Sequence, residues 1–98
     1  MSKPQPKFLT LDAESATIKL TKPATLNGVE QDTIKLRAPT VRDIRNSTAT
    51  SSYDDEQREL NLFATLAQVG VSDLEELPYK DYNRIATGYN FLVREDGV

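Results

Sequence analysis

Fifteen carboxylates, twelve Lys and Arg side chains and four tyrosines are the chemically active groups of this 98-residue chain, which has neither histidine nor cysteine. Without histidine, the commonest general base near neutral pH and the commonest metal ligand are both missing. Without cysteine there is no disulfide and no thiolate metal site. The carboxylates show no spacing that singles out a pair, and no constellation of nucleophile and base is visible. The reading is therefore a protein that is not an enzyme, with no catalytic residues, no metal and no cofactor.

The charged groups point away from nucleic acid as well. The formal net charge is −3, whereas a nucleic-acid binder usually carries a basic face. Arg37, Arg42 and Arg45 come nearest to a cluster, and Asp43 sits among them. Three of the four tyrosines, Tyr79, Tyr82 and Tyr89, fall in the last helical segment. Tyr82 and Tyr89 are on its apolar face, which reads as core packing with the hydroxyl at the edge rather than as base stacking. No apolar run approaches the length of a membrane span, and the N-terminus lacks the core of a signal peptide. The expectation is a soluble protein with no membrane partner, working where it is made.

One helix has to organise the rest. Residues 54–68, DDEQRELNLFATLAQ, give the strongest helix signal. Asp54, Asp55 and Glu56 suit the positive end of the helix dipole, and Ser51 or Ser52 offers an N-cap. Gly70 is placed to take the left-handed position past the end. At about 100° per residue, Leu60, Phe63, Ala64 and Ala67 form one apolar stripe. Leu62, Leu66 and Val69 form a second on roughly the opposite side. A helix apolar on two sides is either sandwiched in a core or half used by a partner. In a chain with so small a core, the second reading makes Leu62, Leu66 and Val69 a partner face.

Before that helix, residues 1–15 read as a disordered N-terminal tail, polar and without periodicity over 1–7, and the domain itself as 16–98. Phe8, Leu9 and Leu11 can add a short strand, and 12–15 resembles a linker. Residues 16–36 read as a β-hairpin turning at Asn27-Gly28, the pair favoured in type I′ turns. An unbroken ladder from that turn mismatches the apolar faces. One extra residue near Pro23 repairs it, with Leu20 opposite Ile34 and Ile18 opposite Leu36, so a bulge or break is expected at 22–24. Thr40 and Asp43 form a capping-box-like pair that opens a short helix. Residues 46–52, NSTATSS, read as a mobile loop.

After the central helix, Ser72 and Glu75 have capping-box spacing for a single helical turn, and Pro78 suits the first position of a last helix. Tyr82, Ile85, Ala86, Tyr89, Leu92 and Val93 share its apolar face. Phe91 falls on the polar side and is a further candidate contact. The fold class is α+β: an N-terminal β-hairpin followed by three to four helices in one small domain.

The order of these pieces resembles the small phage tail assembly chaperones of contractile-tailed, Mu-like phages. The matching stretches are IKLTKPATLNG at 18–28, TIKLRAPTVRD at 33–43, RELNLFATLAQVGV at 58–71 and LEELPYKDYNRI at 74–85. No single motif is specific; the ordered set is. The resemblance implies a non-catalytic chaperone that binds the tape-measure protein, keeps it soluble and helps tail-tube subunits polymerise around it. It implies the tail-tube protein as a second partner, leaves a homo-oligomer open, and places the chain in the cytoplasm of the bacterial host rather than in the mature virion. The competing reading is a structural subunit of the tail or baseplate, because a hairpin edge can pair with a neighbour.

Overall fold

The computed structural model describes residues 5–51 and 54–94. Three antiparallel strands, β1 (Leu9–Leu11), β2 (Ser15–Leu26) and β3 (Val29–Arg37), form a sheet in the order β1-β2-β3. Four helices follow: α1 (Val41–Ala49), α2 (Asp55–Ala67), α3 (Val71–Glu75) and α4 (Tyr79–Leu92). The α+β class holds, with a third strand beyond the hairpin.

That strand brings residues 9–11 into the sheet, and β2 already starts at Ser15, both upstream of the boundary expected at residue 16. Leu9 is buried opposite Ile18. The stretch expected to be a linker is a tight turn held by Asp12. Its carboxylate accepts the backbone N–H groups of Glu14 and Ser15 at 2.9 and 2.8 Å and the Ser15 hydroxyl at 2.8 Å. These bonds keep the Asp12 carboxyl below its usual range. Of the expected tail, residues 1–4 lie outside the described residues.

The hairpin turn is type I′. Asn27 and Gly28 have φ of 54° and 78°, and Leu26 pairs with Val29. Asn27 also ties the turn to the helices: its N–H donates to Asp73 at 3.0 Å and its side-chain amide to the Gln68 carbonyl at 2.9 Å. The register beyond the turn corrects the expectation. Ile18 faces Ile34 and Ala16 faces Leu36, because residues 20–23 of β2 all stand against Asp32 alone. Three extra residues restore the apolar face as well as one would, since any odd number does. The wider irregularity is held by α4. The buried Asp81 carboxylate accepts the Thr21 N–H at 2.8 Å and its hydroxyl at 3.0 Å, while Arg84 donates to the Lys19 carbonyl at 2.8 Å.

Thr40 and Asp43 make the full capping box, and Arg37 grips the same carboxylate through both terminal nitrogens at 2.7 and 3.0 Å. Together these hold the Asp43 carboxyl well below the usual carboxylate range, the guanidinium being the largest cause. Helix α1 then runs through residues 46–49, which were expected to be loop. Ser47 and Thr48 donate their hydroxyls to the Ile44 carbonyl, and Thr50 donates to that of Asn46, so small polar side chains satisfy their own helix.

Asp54, not Ser51, caps α2, accepting from Glu56 and Gln57; Ser52 lies outside the described residues. The left-handed residue past α2 is Gln68, with φ of 59°, not Gly70, which is extended and precedes α3. Helix α3 starts at Val71 with no side-chain cap, so the Ser72–Glu75 box does not form.

The core lies between one sheet face and the helices. Ala16, Ile18, Leu20, Leu26, Ile34 and Leu36 are buried on the sheet side. Helix α4 crosses β2 and β1, α2 lies along β3, and α1 packs on α2. Phe63 of α2 is the link between the two long helices, its ring 5.7 Å from Tyr82 and 5.2 Å from Tyr89.

Candidate interaction surface

Helix α2 is sandwiched, and this decides the fate of the residues expected to meet a partner. Leu66 is buried beside β3, where Ala67 and Val69 line a groove against Ile34, Lys35 and Arg37. Leu62 is buried with Phe63 beside a crevice closed by Ile44 of α1 and Tyr89 of α4. The second stripe therefore serves the core: one side of α2 needs the sheet and the other needs α1 and α4. Of that stripe only Val69 keeps partial exposure.

Phe91 is buried too, against the expectation from the helical wheel. The sheet-facing side of α4 carries Asp81, Ile85, Gly88 and Phe91, all buried. Two of these four are an acid and a glycine, which carry no hydrophobic signal, so periodicity placed the buried face nearer Tyr82 and Tyr89. A Cβ at Gly88 would lie 2.9 Å from the Ile18 side chain; glycine is what lets α4 settle on β2. Arg94 lies 4.3 Å over the outer side of the Phe91 ring.

What is left for a partner lies elsewhere. Among the described residues, the large apolar side chains well exposed to solvent are Val29, Val41, Tyr79 and Val93. Tyr79, at 77 % exposure, stands at the mouth of a groove of about 440 Å³ where α2, α3 and the start of α4 meet. Leu60, Leu74, Leu77 and Tyr82 complete its apolar lining. Glu56 and Glu59, one turn apart on α2, and Glu75 on α3 rim it. The Tyr82 hydroxyl donates to Glu59 at 2.7 Å, which fixes one rim acid in place. Burial, with Glu59 beside it, holds the Tyr82 phenol above its usual range. Sequence periodicity put Leu60 in the core stripe and Tyr79 outside the last apolar face, so neither signal pointed here.

A second surface is the free edge of β3. This nine-residue strand has β2 on one side and no strand on the other among the described residues. The groove of about 410 Å³ between it and the end of α2 is mixed in character, with Gln31, Lys35, Arg37 and Gln68 beside Leu66 and Val69. Among the described residues, no helix is long and apolar enough to cross a membrane.

The family model described as phage tail assembly chaperone proteins, E, or 41 or 14, matches residues 17–94. That span runs from within β2 to the second residue after α4 and so takes in most of the hairpin and all four helices described. No curated protein and no solved structure matches the chain. A match over most of its length, on a hairpin-and-helix order of the kind the family resemblance implied, shows that this chain belongs to the phage tail assembly chaperones.

Proposed function

We propose that this chain is a non-catalytic chaperone that binds the tape-measure protein before assembly and promotes polymerisation of tail-tube subunits around it. The observation that carries this reading is the family match over residues 17–94. The apolar groove at Leu60 and Tyr79 supports it, because a chaperone for a long apolar helical target needs exposed apolar surface of its own. Such a protein acts in the cytoplasm of the bacterial host and leaves before the virion is complete.

Binding through one such groove is weak. Association costs about 4–15 kcal/mol before any surplus appears, and a few partly exposed side chains contribute on the order of 1–3 kcal/mol each. Several copies along one tape-measure chain overcome this through effective concentration. Leu62, Leu66 and Phe91 then act from behind the surface, by holding α2 and α4 in place.

The test is co-expression with a tape-measure fragment that aggregates alone. The fragment should appear in the soluble fraction with this chain and co-purify with it; a fragment equally insoluble with and without it contradicts the reading. A structural subunit of the tail or baseplate is the second reading, favoured by the long free edge of β3. Purified tails should lack this chain if it is a chaperone and contain it if it is a subunit.

A further inference from the structure

We infer that the groove between α2, α3 and α4 docks a basic amphipathic helix. The proposal rests on the binding role given above and names the kind of segment that the partner offers. Its lining divides by chemistry. Leu60, Leu77 and Tyr82 supply an apolar floor with Tyr79 at its mouth, and acids stand on both walls, Glu56 and Glu59 on α2 and Glu75 on α3. No Lys or Arg among the described residues lines it. An apolar floor between two acidic walls is complementary to a helix whose leucine-like stripe is flanked on both sides by Lys or Arg.

The backbone decides between a helix and an extended segment. Every lining residue belongs to α2, α3 or α4 except Leu77, which lies in the link between α3 and α4. The groove therefore offers no strand edge, and an extended chain laid there would leave its own N–H and C=O groups without a ladder to join. A helix satisfies those groups internally and presents only side chains. The acids at Glu56 and Glu59 sit on one helical face, so a docked helix running along α2 meets both in succession.

The test uses synthetic peptides and the intact chain, read by fluorescence anisotropy and by amide chemical shifts. One 18-residue helical peptide carries a leucine stripe flanked by lysines. A second carries the same stripe flanked by glutamates. The lysine peptide should bind, shift amides of residues 56–60 and 74–82, and weaken as salt rises. Glu56→Lys with Glu75→Lys, both on exposed side chains, should weaken it about tenfold, because each reversal replaces an attraction with a repulsion. Equal binding of the two peptides, unchanged binding by the double variant, or shifts confined to the β3 edge would each overturn the proposal. Circular dichroism of the double variant excludes unfolding as the cause. Co-expression separates this inference from the functional reading. If the double variant holds the tape-measure fragment soluble as well as the parent does, the groove assignment fails and the chaperone reading stands. If the lysine peptide binds at the groove but the parent leaves the fragment insoluble, the groove stands and the tape-measure partner is wrong.

Discussion

Gly88 and Asp81 set how the last helix meets the sheet, and neither is a residue that hydrophobic patterning weighs. Gly88 has helix neighbours on both sides, so alanine there should gain about 1 kcal/mol from propensity. The added methyl would sit 2.9 Å from Ile18, which is fully buried and has little room to move. Overpacking of this kind costs about 1–3 kcal/mol. Gly88→Ala should therefore unfold in urea with a net loss of roughly 1 kcal/mol; a more stable variant would show that α4 does not lie so close to β2.

Asp43 makes a pH prediction at the same scale. Its carboxyl is held below the ordinary range by Arg37 and Thr40 in the folded state. A depressed carboxyl contributes stability that is complete above its unfolded value, near pH 3.9, and is lost as pH falls through the folded one. Asp43→Asn should be less stable than the parent by a constant margin from pH 5 to 8. The margin should shrink progressively below about pH 4. Urea titrations showing an unchanged gap down to pH 2 would mean that the Arg37 pair has no net effect.

At the scale of elements, the legible parts were those that rest on local chemistry. Asn27-Gly28 specified a type I′ turn because both residues take positive φ cheaply, and Thr40 with Asp43 specified a helix start. Gly28→Val should destabilise the hairpin by about 1–2 kcal/mol or more, the cost of forcing a β-branched residue to φ of 78°. A variant with the parent's urea midpoint would contradict the turn assignment. The register was only half legible. The alternation of Ile18, Leu20, Ile34 and Leu36 demanded an odd offset, but one extra residue and three satisfy parity equally. The choice is made by Asp81, which is sixty residues from Thr21 in sequence. Helix α1 outran its expected end because Ser47, Thr48 and Thr50 bond back to their own helix, where composition alone suggested a loop.

The central helix shows the limit of the helical wheel. Two apolar stripes are compatible with a sandwich or with a partner face, and the choice depends on how many layers surround the helix. With β3 on one side and α1 and α4 on the other, both stripes are used. Leu62→Asp and Leu66→Asp each leave a carboxylate in the interior, and each should cost on the order of 4–5 kcal/mol, enough to unfold a domain of this size. Helical circular dichroism retained at the parent's midpoint would mean that the stripe meets water after all.

At the scale of the whole molecule, one face of the sheet is solvated, the other is covered by helices, and Tyr79 stands exposed at the groove where three helices meet. Composition left no histidine or cysteine for chemistry, and the order of motifs pointed to the family. The proposed docking groove was not legible because Leu60 lies far in sequence from Leu77 and Tyr79 and becomes their neighbour only when α3 turns the chain back onto α2. The most direct test of the account is hydrogen exchange of this chain alone and with a soluble tape-measure fragment bound. The account predicts slower exchange at residues 56–60 and 74–82 in the complex, with α1 unchanged. Exchange that is the same with and without the fragment, or slowed along the β3 edge instead, would contradict it.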